Sequence, residues 1–280
     1  MTPLRTRFIE DMQLRGLAPT TQRSYLHYVA DFAAFYNASP EHLDLEAIRQ
    51  YELYLLHEKK LSPESINTFV SAVQFLYLTT LEMPWGKECF PRVRRAHKLP
   101  VVLSPDEVAR FFAAVPSLKY RAALMTCYGA GLRISDAATF NHNRLMADGS
   151  IFLYMSKTGE PVSVPVHPEL KAALDVITPN AAGFYFWSGE SEINTATDNW
   201  RRRFEQVFKR AGIEGGQPHR FRDTFAVDLL LRGVPIDQVS ILLGHSSVKI
   251  TERHYLAFVA SRREQIANSL RKAWANDTAA

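Results

Sequence analysis

Five short segments carry residue types able to grip an anion or attack an electrophile. In Gly129-Ala-Gly-Leu-Arg-Ile-Ser-Asp136, Arg133 follows a glycine-rich turn at the expected start of a helix. The two glycines let the backbone approach a neighbour closely, and Asp136 shares a helical face with Arg133, where its carboxylate can orient the local structure. Lys157 is expected at the exposed end of a strand, just before a hairpin turn, from which a long side chain reaches a ligand lying against the domain. His219-Arg-Phe-Arg222 follows Pro218 and sets His219 and Arg222 on one helical face, with Phe221, Phe225 and Leu229 opposite. A histidine and an arginine converging beside a helix start suit phosphate binding. Leu242-Leu-Gly-His-Ser-Ser247 places His245 just past a short helix that Gly244 ends, and Thr251-Glu-Arg-His-Tyr255 supplies a phenol, Tyr255. Each segment has a bland counterpart: a surface ion pair, a solvated lysine, a cationic helix face, a structural histidine, a packing tyrosine. Taken singly, the bland counterpart carries more weight.

The ordered set weighs differently. Gly-x-Gly-x-Arg, Lys-Thr-Gly, His-x-x-Arg, Leu-Gly-His-Ser and Tyr, in that order, resemble the tyrosine recombinase family of the phage-integrase, lambda-integrase-like type. The resemblance covers nearly the whole chain, because that family sets a small helical core-binding domain before its catalytic domain. It implies a site-specific recombinase or integrase that cleaves and rejoins double-stranded DNA through a covalent 3′-phosphotyrosine. By the same resemblance Arg133 is the first catalytic arginine, Asp136 fills a supporting acidic position, and Lys157 is the hairpin lysine. His219 and Arg222 are the His-x-x-Arg pair, His245 is the second histidine, and Tyr255 is the nucleophile. Two departures stand out. Asp223 occupies a position where many members have histidine, and the interval from His245 to Tyr255 is one residue longer than in many members, with His254 at the shorter spacing.

These groups suit the chemistry. A phosphodiester repels anionic nucleophiles, and two guanidiniums, Arg133 and Arg222, can neutralise its non-bridging oxygens by forked hydrogen bonds that strengthen as charge builds. Nearby cations are expected to favour the phenolate of Tyr255. His219 can accept the proton or bond the phosphate, and both readings stay open. The resemblance assigns protonation of the leaving 5′-hydroxyl to Lys157 and implies no metal, ATP or other cofactor, since the covalent link conserves the energy of the broken bond. It further implies a homotetramer on paired DNA sites, and integration for a phage or other mobile element as the default role. Two alternatives remain: relaxation of DNA in the manner of a type IB topoisomerase, and a non-catalytic DNA-binding protein on the same fold. Lys157-Thr-Gly159 and Ser246-Ser-Val-Lys249 mimic serine acyl-transferase motifs, but in reverse order and without Ser-Asp-Asn.

The elements that must position these residues are mostly helices. Four short helices are expected near 3–14, 21–37, 45–59 and 63–81, packing as a bundle. Tyr25, Tyr28, Val29, Phe32 and Tyr36 form one helical stripe, and Ile66, Phe69, Val70, Val73 and Leu76 form another after the Ser62-Pro63 start signal. Residues 84–103, punctuated by Pro84, Gly86, Pro91 and Pro100 and carrying Arg92, Arg94, Arg95, His97 and Lys98, predict an exposed basic linker. Ser104-Pro-Asp-Glu107 is a capping box, with Leu103 and Val108 placed as a hydrophobic staple. Ile151–Val166 predicts a β-hairpin turning at Thr158-Gly159-Glu160, and helices resume from about 168, apart from Gly183–Trp187. The expected fold is therefore mainly α with a small β-hairpin (α+β): a helical, SAM-like core-binding domain at 1–83, a basic linker at 84–103 and a catalytic domain at 104–280. Beyond Tyr255, Phe258, Ile266, Leu270 and Trp274 recur at helical spacing, fit to pack in cis or to dock on a neighbouring protomer.

Bulk properties agree with that reading. The 280 residues are 46% hydrophobic and 22% charged, as in an ordinary globular protein large enough for two cores. No apolar run approaches the roughly 18 residues of a membrane span. The N-terminus reads as a helix start rather than a signal peptide, so a cytoplasmic, prokaryotic setting is expected. Two cysteines, Cys89 and Cys127, make neither a disulfide framework nor a four-ligand zinc site. Residues 1–90 hold 8 Lys/Arg against 11 Asp/Glu, whereas 91–280 hold 25 against 18, a basic balance suited to a polyanion.

Overall fold

A computed structural model describes the backbone of residues 2–94 and 99–277, with the side chains of 260–265, 269 and 272–277 outside the described set. The chain divides into two compact units, Met1–His97 and Lys98–Ala280. The expected mainly helical fold with one small hairpin is what the chain adopts.

The first unit packs α1 (Pro3–Leu14), α2 (Pro19–Tyr36), α3 (Leu45–His57) and α4 (Pro63–Phe75). Thr2, Asp44 and Ser62 cap α1, α3 and α4 by accepting hydrogen bonds from main-chain N–H groups three residues on, so the orphan donors of those helix starts are satisfied locally. Of the two sequence stripes, that of α4 is fully buried, whereas on α2 only Phe32 is, with Tyr25, Tyr28, Val29 and Tyr36 half-covered at its flanks. The expected helix to residue 81 widens instead into a π turn at Leu76–Thr80. There Tyr77 is buried and donates its hydroxyl hydrogen to the carbonyls of Pro40 (2.6 Å) or Leu43 (3.1 Å).

Part of the segment read as an exposed linker lies on this unit. Phe90 is buried, and Trp85 and Val93 pack against the same core. The Asn67 amide pairs with the main chain of Val93 in both directions at 2.9 Å. Burial of the apolar Trp85 and Phe90 outweighs the turn-forming prolines and glycine around them. Arg92 and Arg94 are exposed as expected; Arg95, His97 and Lys98 lie outside the described residues.

The second unit opens with α5 (Pro105–Ala113), whose capping box joins Ser104 and Glu107 reciprocally. Leu103 and Val108 belong to the same core. Then come α6 (Leu118–Gly129), α7 (Ile134–Ala138), an antiparallel pair β1 (Ser150–Tyr154) and β2 (Pro161–Pro165), α8 (Pro168–Val176), α9 (Ile193–Arg210), α10 (His219–Arg232), α11 (Ile236–Leu242) and α12 (Val248–Asp277). The hairpin pairs Ile151 with Val164 and Leu153 with Val162, and these alternate residues point into the core while Phe152 and Tyr154 face outward. An aromatic cluster of Phe111, Trp200, Phe204, Phe208 and Phe221 joins α5, α9 and the start of α10. A second cluster, with Ala226, Val227, Leu230, Val239, Leu243 and Tyr255, joins α10, α11 and α12. Helix α10 is thus gripped on both sides, which fixes the residues at its N-terminus. Among the described residues, no helix is long and apolar enough to cross a membrane.

Candidate active site

All six candidates, Arg133, Lys157, His219, Arg222, His245 and Tyr255, line one cleft of about 350 Å³ in the second unit. Residues separated by 122 positions meet because α7, the hairpin turn, the start of α10, the turn after α11 and the first turns of α12 converge there.

Arg222 is the most constrained member. It is 1% exposed, and its guanidinium donates to the carbonyls of Gly131 (2.7 Å) and Leu243. That fork ties α10 to the turns carrying Arg133 and His245. Gly131 has φ +62°, and a Cβ there would stand 2.5 Å from the Phe225 ring, so this glycine alone of the pair at 129 and 131 is required by the packing. Gly244, at φ +55°, lies against the hairpin, where a Cβ would come within 2.6 Å of Met155. The turn bearing His245 is therefore seated directly on the strand that leads to Lys157.

Lys157 lies within the turn rather than on the strand, which ends at Tyr154. The turn is pinned on both sides. The Asp136 carboxylate accepts from the Ser156 N–H (3.0 Å), and the Thr158 hydroxyl donates to the Gly244 carbonyl (3.0 Å). Asp136 is 1% exposed, so the alternative of a surface ion pair with Arg133 fails. What it orients is the lysine turn. Arg133 precedes α7, and its Nη1 is buried with no hydrogen-bond partner among the described residues. A buried guanidinium nitrogen without an acceptor is costly, and the Arg133 side chain also lines the cleft, where its positive charge can meet an anion.

The histidines are held differently. His245 Nδ1 lies 2.8 Å from the Thr251 hydroxyl. When that hydroxyl donates, Nε2 carries the ring hydrogen and can donate to an anion. Burial, then Arg222 and Arg133, push His245 down to about 3, so the ring is neutral near pH 7. His219 is lowered too, by burial first, despite Asp223. Burial and then Arg133 bring Arg222 down to about 10.

Tyr255 is 3% exposed and donates its hydroxyl hydrogen to Asp223 Oδ1 at 2.7 Å. Its proton is held more tightly than in a free phenol, contrary to the expected drift toward phenolate. Burial and the Asp223 charge outweigh Arg222 and Arg133, which pull the other way. Asp223 thus enters the site as a working contact, where the sequence marked only a departure. The spacing of His219 and Asp223, one helical turn apart, was the available signal, and their side chains meet at 3.7 Å. Thr251 and Thr158, also at the site, carried no signal of their own, whereas His254 is marked by its spacing from His245. Arg220, between the two pair residues, is structural: it bonds the carbonyls of Val101, Val102 and Glu214.

A mostly helical chain with a basic, histidine-lined cleft around a buried tyrosine narrows the class, and known proteins complete it. The model of the phage integrase family matches residues 101–262, and that of the phage integrase N-terminal SAM-like domain matches 4–87. A putative integrase/recombinase of Sinorhizobium fredii is 36% identical over 270 residues, covering 94% of this chain and 86% of the relative. The tyrosine recombinase XerA of Thermococcus kodakarensis is 28% identical, over 86% of both chains. Among solved structures, the XerH site-specific recombinase bound to a palindromic difH substrate superposes with a TM-score of 0.71 at 17% identity, covering 92% of this chain and 82% of that one. A lambda integrase dimer bound to a COC' core site gives 0.69 at 17% identity, over 89% and 93%. These two likenesses are of fold. The chain belongs to the phage integrase family, as a site-specific recombinase of the tyrosine class.

Proposed function

We propose that this chain cleaves and rejoins double-stranded DNA by transesterification, with Tyr255 forming a 3′-phosphotyrosyl link, in the service of a phage or other mobile element. The observation that carries the reading is the convergence of Arg133, Lys157, His219, Arg222, His245 and Tyr255 in one cleft, with the Arg133 guanidinium buried short of a partner. Arg133 binds the non-bridging oxygens of the scissile phosphate, Arg222 adds its positive charge while its fork holds the Gly131 and Leu243 carbonyls, and neutral His245 donates from Nε2 to one of those oxygens. The Tyr255 hydroxyl attacks phosphorus, the bond to the 5′-oxygen breaks, and the exposed Lys157 at its pinned turn protonates the leaving oxygen. A 5′-hydroxyl from a second strand reverses the step on a new partner.

Residues 1–83, with Trp85, Phe90 and Val93 packed onto them, act in this reading as the core-binding domain, the rest of 84–103 as the basic connection and 104–280 as the catalytic domain. Exchange of four strands calls for a homotetramer on paired sites. One solved neighbour is a lambda integrase tetramer bound to a Holliday junction, and another is a Tn1549 transposon integrase with transposon right-end DNA. On α12, Phe258 packs on its own unit while Ile266 and Leu270 are each 46% exposed, an apolar pair suited to a neighbouring protomer. The Trp274 side chain lies outside the described residues.

The test is covalent capture. Full-length protein is incubated in chelator with a pool of nicked duplexes of randomised sequence, so that cleavage releases a short strand and traps the adduct. Wild type should yield a denaturant-resistant protein–DNA species, and Tyr255→Phe should bind DNA yet yield none. An adduct undiminished in Tyr255→Phe, or no adduct from wild type, would overturn the reading.

A further inference from the structure

The reading of Tyr255 as nucleophile leaves open where its proton goes, and Asp223 accepts from that hydroxyl in the cleft. We propose that Asp223 is the catalytic base: its carboxylate aims the Tyr255 hydroxyl before attack and takes the proton during it. The inference rests on the phosphotyrosine reading above.

Several observations point the same way. The contact from Tyr255 Oη to Asp223 Oδ1 is 2.7 Å, a well-formed hydrogen bond, and an ionised carboxylate only accepts, so the hydroxyl is the donor. The Asp223 side chain is 13% exposed, so water competes little for it. The other candidate acceptors are placed elsewhere. His245 presents Nδ1 to Thr251, and the contact recorded for His219 is with the carboxylate itself, its Nε2 lying 3.7 Å from Asp223 Oδ1. Arg222, next in sequence to Asp223, spends its fork on the Gly131 and Leu243 carbonyls, which leaves Oδ1 to the tyrosine. Two rigid elements fix the pair: Asp223 stands on the first turns of α10, and Tyr255 is buried in the cluster that joins α10 to α12.

The step balances simply. A lone pair on Oη forms the bond to phosphorus as the Oη–H bond breaks, and the proton moves to Oδ1. The bond from phosphorus to the 5′-oxygen breaks, and that oxygen takes its proton from Lys157. On rejoining, protonated Asp223 returns the proton to the departing Oη. A bound phosphate strengthens the base, because an anion beside a carboxylate raises its affinity for a proton. The groups facing the pair are His219 and Arg222 from α10, His254 from α12, Arg133 before α7, Lys157 from the hairpin turn and His245 from the turn after α11.

The experiment measures single-turnover cleavage of a captured nicked duplex by full-length wild type, Asp223→Asn and Asp223→Glu, between about pH 6 and pH 9. Asn keeps the shape and a hydrogen-bond acceptor but takes no proton. Asp223→Asn should bind the duplex like wild type and cleave about 100-fold more slowly near neutral pH. The gap should narrow by about tenfold per pH unit, because the phenol must then ionise before it attacks. Asp223→Glu should recover part of the rate and hold a constant ratio to wild type. A merely structural role predicts the same loss at every pH, and that result, or an Asn variant within about twofold of wild type, overturns the proposal. Should Asp223→Asn fail to bind, Asp223→Ser takes its place under the same criterion: a gap that narrows as pH rises supports the base, and a constant one refutes it. Failure here is separable from failure beneath it, since a wild type that forms no adduct removes the nucleophile itself.

Discussion

Two arginines that line one cleft are built into the protein in opposite ways. Arg222 is part of the scaffold, its fork satisfied by the Gly131 and Leu243 carbonyls, whereas Arg133 holds a buried nitrogen with no partner among the described residues. Truncating them should therefore separate stability from activity. Arg222→Ala removes donors from two carbonyls and should cost about 2–4 kcal/mol in thermal or denaturant unfolding, as well as most cleavage. Arg133→Ala should leave the melting temperature unchanged or raised while lowering cleavage by about 10²–10³-fold. Equal stability losses in the two variants would contradict this division. Both arginines, Lys157, the two histidines and Tyr255 were legible in the sequence as an ordered set, because each motif combines a chemical residue with a local turn or helix start. The hydrogen bond from Tyr255 to Asp223 was not. It joins residues 32 positions apart on different helices, and neither periodicity nor capping reports such a contact.

At the scale of elements, the site depends on turns that only glycine can make. Gly244 combines a positive φ with a close approach to Met155 and Val162 on the hairpin, so one substitution there disturbs His245 and the lysine turn together. Gly244→Ala should destabilise the protein by about 2–4 kcal/mol, the sum of a left-handed penalty and overpacking, read as a lowered melting temperature. Cleavage by the fraction that stays folded should fall too, and a variant matching wild type in both would refute the seating of that turn. The helices α2, α4, α5 and α10 were legible through caps, prolines and apolar stripes. The π turn after α4 was not, since it answers to burial of Leu76 and Tyr77 and to the hydroxyl reaching Pro40 and Leu43, all tertiary demands. The same holds for Trp85 and Phe90, whose surroundings read as a linker until a core was there to receive them.

For the molecule as a whole, the two units carry different electrostatic burdens. In the first, burial lifts Glu52 from its ordinary 4.5 to about 7, and its Oε1 is buried without a hydrogen-bond partner among the described residues. A carboxyl that binds its proton more tightly when folded adds stability that is complete below 4.5 and is lost as pH rises through 7. Glu52→Gln should therefore raise the melting temperature at about pH 8 and make little difference near pH 4, measured on the full chain. An unchanged melting temperature at the higher pH would contradict it. In the second unit the burden is the cleft, where burial and crowded positive charge hold His245 neutral and a buried phenol donates to a carboxylate. That arrangement is costly in a resting fold and useful with a phosphate in place, as expected of a site kept for chemistry. Its central claim can be tested on the protein's own covalent product. After capture of wild type on nicked duplex DNA and digestion of both polymers, mass spectrometry of the peptides identifies which of the 11 tyrosines carries a nucleotide phosphate. The account predicts the mark on the peptide containing Tyr255 and on no other; a nucleotide attached elsewhere, with Tyr255 unmodified, would contradict it.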